Sequence, residues 1–129
     1  MDEKFNVGLV KHLGINLVEV TPQRVVGELV IRDELRTLGV NLHGGTLMAL
    51  ADTVGAMGTV ASLKPGQLTS TIESKTNFFR PVTKGAAHGT TTPLHVGRTT
   101  IVLQTDIRDD AGKRVALVTQ TQAVITRTA

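Results

Sequence analysis

The sequence predicts an α+β domain in which a curved, six-stranded antiparallel sheet wraps around one long helix. Three observations predict it. Between His43 and Lys64 lie twenty residues, GGTLMALADTVGAMGTVASL, of which only Asp52 can carry a charge. Two β-rich runs precede this stretch and four follow it. Turn signals, not further helices, join successive strands. At 129 residues the chain has room for one core, so residues 1–129 read as a single domain.

In order, residues 3–12 read as a short leading helix carrying Phe5, Val7, Leu9 and Val10, with Gly14 ending it. Ile15–Val20 and Arg24–Ile31 are strands separated by the turn Thr21-Pro22-Gln23. Arg32–Leu42 is a polar loop leading to the central helix, expected over residues 44–63 and stopped by Lys64-Pro65-Gly66. Small and apolar residues cover nearly its full circumference, which predicts burial on all sides. Leu68–Phe79 is the next strand, closed by Arg80-Pro81. Ala86–Val96 turns through Gly97-Arg98 into Thr99–Arg108, and Asp109-Asp110-Ala111-Gly112 is a hairpin signal leading to Arg114–Thr126. Ile101, Leu103 and Ile107 share one face of their strand, and Val115 and Leu117 are expected to do the same in the last. One helix cannot cover both faces of six strands. Curvature around the helix solves half of that burial problem, and association with a second copy solves the rest.

Composition narrows the function. The chain has no Cys, which excludes disulfides, thiolate zinc sites and thiol nucleophiles, and agrees with a cytoplasmic location. No His/Asp/Glu group has metal-ligand spacing. The N-terminus starts acidic and lacks the long apolar core of a signal peptide. A membrane span through the central run would set Asp52 near the bilayer centre, at high cost, so no membrane partner is expected. Residues 1–52 hold 5 Lys/Arg against 7 Asp/Glu, whereas residues 53–129 hold 9 against 4. The basic half suggests an anionic partner. With no Trp or Tyr and only Phe5, Phe78 and Phe79 as aromatics, a small phosphorylated ligand suits that charge better than nucleic acid.

A lone carboxylate on an otherwise uncharged helix is costly unless it has a partner or a task. Asp52 is therefore the first candidate for chemistry. It lies nine residues past His43 in the segment Arg36-Thr37-Leu38-Gly39-Val40-Asn41-Leu42-His43-Gly44-Gly45. That segment opens the helix, whose free N–H groups and partial positive charge suit an oxyanion. The Gly-x-x-x-His-Gly-Gly motif from Gly39 to Gly45, the acid at Asp52, the strand ending Asn77-Phe78-Phe79-Arg80-Pro81 and the order of elements together resemble the hotdog-fold acyl-CoA thioesterases. Within these the similarity is to the PaaI-type branch related to 4-hydroxybenzoyl-CoA thioesterases, and it spans residues 14–126.

The resemblance implies a hotdog fold and hydrolysis of an acyl- or aryl-CoA thioester to carboxylate and CoA, with no cofactor beyond the CoA of the substrate. It makes Asp52 the catalytic carboxylate, as general base or as nucleophile. It gives the Gly44 N–H to the thioester carbonyl, and Thr71 the task of holding the attacking water. His43 reads as an orienter at the helix start rather than a proton carrier. Gly45, Asn41 and Phe78 are implied around the substrate, and Gly97 and Arg98 near the nucleotide end of CoA. Thr37 departs from the pattern, since relatives carry Asn or Gln there; either a water or Asn41 fills its role, or activity is weak. Nine residues of helix place His43 and Asp52 ~13 Å apart, too far for both ends to serve one carbonyl. Gly44 and Asp52 acting together would therefore come from different chains, in a homodimer or dimer of dimers. The rival readings are a hotdog-fold hydratase or dehydratase, which usually pairs a His with the acid, and a non-catalytic acyl-CoA sensor.

Overall fold

A computed structural model of the chain describes residues 3–127. It contains two α-helices and one open six-stranded sheet: α1 (Gly8–Leu13), β1 (Ile15–Val20), β2 (Val25–Val30), α2 (Gly44–Val60), β3 (Gln67–Phe78), β4 (Ala86–Val96), β5 (Thr100–Arg108) and β6 (Arg114–Thr126). The strand order is β1-β2-β4-β5-β6-β3, with every neighbouring pair antiparallel. This is the expected α+β hotdog arrangement, the sheet wrapping α2 and leaving β1 and β3 as its edges.

Local chemistry explains where the elements begin and end. The leading helix is shorter than residues 3–12. Glu3–Phe5 forms a separate 3-10 turn, and extended Val7 followed by Gly8 at φ 54° prevents one continuous helix. Gly14, at φ 74°, closes α1, while the Arg32 guanidinium binds the carbonyls of His12 and Leu13. Helix α2 ends at Val60, three residues before the expected stop. Its chain tightens through Ser62 N–H to Thr59 O and Leu63 N–H to Val60 O, bonds of 3-10 spacing. Strand β4 tolerates Pro93 because β2 pairs with it only as far as Thr91. The unpaired side of Pro93 therefore loses no ladder bond.

The core joins α2 to the inner face of the sheet through Leu50, Val54, Leu29, Leu103, Ile107 and Val118. Close approach of helix to sheet depends on Gly27, where an added Cβ would lie 2.5 Å from Val54 Cγ1. Two features differ from what the sequence predicts. Helix α2 is not buried on all sides: Leu47, Leu50, Ala51, Val54 and Met57 are buried, but Gly45, Met48 and Asp52 form an exposed stripe. In β6 the face turned to the helix is Ala116, Val118, Gln120 and Gln122, not that of Leu117; Val115 is also buried. Two glutamines on the inner face disguise its parity in the sequence. On the outer surface Asp106 receives hydrogen bonds from Arg108 and Arg114. Partial burial pushes its carboxyl up, but the two guanidiniums prevail and hold it below the ordinary value.

Candidate active site

The loop before α2 is pinned rather than free. A 3-10 turn at Asp33–Leu35 leads to a small hairpin, with a bridge between Arg36 and Leu42 and Thr37 N–H donating to Asn41 O at 2.8 Å. Gly39, at φ 85°, makes its tip. The Arg36 guanidinium binds the carbonyls of Val40 and Thr83, and Leu42 N–H donates to Val82 O. This fixes His43 as the N-cap of α2: its Nδ1 accepts from Gly45 N–H at 2.8 Å, and its carbonyl accepts from Thr46. His43 is thereby an organiser of the helix start, with its Nδ1 occupied. Among the described residues no acceptor is recorded for the Gly44 N–H, the first of the helix donors. Gly44 lines a cleft of about 360 Å³ shared by Thr37, Asn41, Leu47, Phe78 and Phe79. The Phe78 ring covers Gly44 so closely that an added Cβ would meet it at 3.2 Å.

Asp52 lies two turns further along and opens on a different cleft, of about 260 Å³, lined by Phe5, Val10, Leu17, Thr53, Ala56 and Met57. Its Oδ1 accepts from Thr71 Oγ1 at 2.9 Å and from Gln120 Nε2 at 2.7 Å. Behind these, Thr69 Oγ1 donates to Gln122 Oε1 at 2.8 Å, and Gln122 Nε2 donates to Thr71 Oγ1 at 2.7 Å. The proton order is determined: Thr71 accepts from Gln122 and spends its single hydrogen on Asp52. One lone pair of Thr71 remains to accept from a water. A bulge in β3 between Thr71 and Glu73 makes the two ends compatible. Before it, Thr69 and Thr71 turn to the helix; after it, Ser74, Thr76 and Phe78 do. One strand thus serves Asp52 with Thr71 and Gly44 with Phe78.

Thr71 and Asp52 are brought together, as are Gly44, Thr37, Asn41 and Phe78, but the two groups are separate within one chain. Eight helical steps from Gly44 to Asp52 amount to ~12 Å. Gly97 and Arg98 line a third cleft, beyond the C-terminal end of α2, with Lys64 and Gln67. Sequence reading missed Gln120 and Gln122, because a glutamine in a strand reads as solvent-facing. The signal available was the alternation Val118-Gln120-Gln122 opposite a glycine, Gly55, in the middle of a helix that no turn interrupts. Among the described residues no group of three His, Asp or Glu side chains is placed to hold a metal ion, and no helix is long and apolar enough to cross a membrane.

A carboxylate clamped on one oxygen at mid-helix, and an N–H without an acceptor among the described residues at the start of the same helix, are groups suited to chemistry at a carbonyl. The sequence profile of the thioesterase superfamily matches residues 39–116, and the chain belongs to that family. It is 30% identical to the proofreading thioesterase EntH of Cronobacter turicensis, over 82% of this chain and 77% of that one. It is 26% identical to the 1,4-dihydroxy-2-naphthoyl-CoA hydrolase of Listeria monocytogenes, over 92% and 96%. A crystal structure of a thioesterase from Haemophilus influenzae superposes with a TM-score of 0.92 at 27% identity, covering 97% of this chain and 87% of that one.

Proposed function

We propose that this thioesterase acts in the cytoplasm on acyl-CoA, converting acyl-S-CoA and water to a carboxylate and the CoA thiol, and that it needs no cofactor. The observation that carries the reading is the Asp52 carboxylate, held through Oδ1 by Thr71 and Gln120 at the mouth of an apolar cleft. Its Oδ2 then takes the proton of a water whose oxygen adds to the thioester carbonyl, or adds to that carbonyl itself to give a mixed anhydride that water cleaves. In either course the C–S bond breaks and the thiolate leaves, taking up a proton. The Gly44 N–H stabilises the oxygen that gains negative charge. Arg98 and Lys64 supply positive charge for the phosphates of CoA.

The working unit in this proposal is a homodimer, alone or paired into a dimer of dimers. Strand β3 is a twelve-residue open edge with Leu68, Ile72 and Phe78 exposed, a template for pairing with a second copy. Antiparallel pairing of β3 with itself, centred on Lys75 and with the extra residue Ile72 passed over at the bulge, sets Thr71 of one strand beside Phe78 of the other. The Asp52 half of one protomer then meets the Gly44 half of its partner. A hydratase is disfavoured because the described histidines lie elsewhere: His43 caps the helix, and His88 pairs with Asp110 at 2.7 Å on the outer surface.

Release of free thiol from benzoyl-CoA, phenylacetyl-CoA and hexanoyl-CoA tests the proposal and ranks aryl, arylacetyl and aliphatic groups. Saturable binding of all three without thiol release would replace it with the sensor reading. Thr37 shares the cleft of Gly44, and a second measurement concerns its hydroxyl. Thr37→Asn should keep or raise the rate, and Thr37→Val should lower it by roughly 5- to 150-fold, the scale of one hydrogen bond of ~1–3 kcal/mol strengthened in the transition state. Equal rates for all three proteins would reduce the position to loop packing.

A further inference from the structure

We propose that Gln120 and Gly55 form a positioning device that fixes Oδ1 of Asp52 and leaves Oδ2 as the one oxygen able to take a proton or attack. The inference rests on the thioesterase reading of Asp52 given above. Gln120 is 1% exposed, on the inner face of β6, where its neighbours Ala116 and Val118 are apolar core. Its amide donates through Nε2 to Asp52 Oδ1 at 2.7 Å. Its Oε1 is buried with no hydrogen-bond partner, a state that costs stability and that an aliphatic side chain would avoid. Among the described residues nothing is recorded as donating to Asp52 Oδ2.

Gly55 shows what the amide requires. It lies inside α2, where alanine is intrinsically better, and it has no positive φ that would call for glycine. An added Cβ there would stand 1.8 Å from Gln120 Oε1 and 2.7 Å from its Cδ. The space that glycine leaves is the space the amide fills. Two unfavourable choices on separate elements, a helix-interior glycine and an unpaired buried carbonyl oxygen, thus converge on one carboxylate oxygen. Gln122 acts in the same sense through Thr71, whose hydroxyl it compels to donate to that same oxygen. A carboxylate held at one end has a single orientation for the other, which proximity catalysis needs. Gln120 lines neither the cleft of Asp52 nor that of Gly44, and it acts on the reaction through Asp52.

The test compares kcat, KM, thermal unfolding and pH–rate profiles of the full chain, on whichever of benzoyl-, phenylacetyl- and hexanoyl-CoA turns over fastest. Gln120→Met keeps the length and removes the donor; kcat should fall ~10- to 100-fold with KM held within about twofold. Gly55→Ala should do the same by displacing the amide, and Gly55→Ala with Gln120→Ala should be no worse than the poorer single variant. Gln120→Glu supplies a readout that a packing role would not move. Among the described residues no other ionisable side chain lines the cleft beside Asp52, and Thr71 and Gln122 are neutral. While the introduced carboxyl and Asp52 share one proton, the donor is restored; once that proton leaves, two negative charges face each other. The profile should therefore gain an alkaline falling limb absent from the parent protein. Should Gln120→Met fail to fold, that limb decides alone: a profile of parental shape overturns the inference. Parental kcat in a folded Gln120→Met, with Asp52→Asn inactive, overturns the positioning role and spares the thioesterase reading. Parental activity in Asp52→Asn overturns both.

Discussion

Asp52→Asn should lower thiol release from acyl-CoA by ~10²-fold or more while leaving the protein folded and able to bind CoA. Acid and amide have nearly the same shape, but the amide neither accepts a proton at neutral pH nor attacks a thioester. The surroundings tolerate the exchange. The side chain is exposed within the protomer, so no core contact is lost. An amide oxygen in the place of Oδ1 still accepts from Thr71 and Gln120. Unfolding curves of the two proteins should therefore nearly superpose, and a drop in rate reports on the reaction. Near-parental turnover by the variant would remove Asp52 from the mechanism.

Complementation between two inactive chains is the second large effect. Gly44→Val places its side chain against the Phe78 ring, where even a Cβ has only 3.2 Å, and blocks approach to the N–H at the start of α2. Alone it should be inactive, as Asp52→Asn should be. Mixed and allowed to exchange subunits, the two yield hybrid dimers with one site intact and one site doubly disabled. With equal amounts and random pairing, half the dimers are hybrids, so about a quarter of the parental activity should return. A site confined to one chain returns none. Sedimentation of the parent protein supplies the companion measurement, and a fully active monomer would refute the shared site.

Both predictions use residues that stand out in the sequence, and the reason is local. Asp52 is the sole charge in a twenty-residue run, and Gly44 follows a histidine at a helix start. Helix stops at Pro and Gly, hairpin signals such as Asp109–Gly112, and period-two alternation act over a few residues. Strands β1, β4 and β6 therefore have the expected bounds, and β2, β3 and β5 differ by a single residue at the ends that moved. The order of elements, together with a single helix available to cover the sheet, determined an α+β class with the sheet curved around that helix, and the motif from Gly39 to Gly45 with Asp52 carried the resemblance to the hotdog family.

What only the tertiary structure decided is which groups meet across elements. Burial of Gln120 and Gln122 follows from the pairing of β6 between β5 and β3, which turns even-numbered residues toward α2. A polar side chain in a strand reads as solvent-facing until a partner from another element satisfies it. The exposure of Asp52 was hidden for the opposite reason. A helix of small and apolar residues reads as buried all round, whereas the sheet of one protomer reaches only part of its circumference. The β3 bulge, which lets one strand serve both ends of α2, leaves no mark in alternation because Ser, Thr and Asn populate both faces. Local sequence determined where each element starts, stops and changes direction. Contacts between elements decided how Asp52 is held, because hydrogen bonds from Thr71 and Gln120 form only after residues 19 and 68 positions away have been packed beside it.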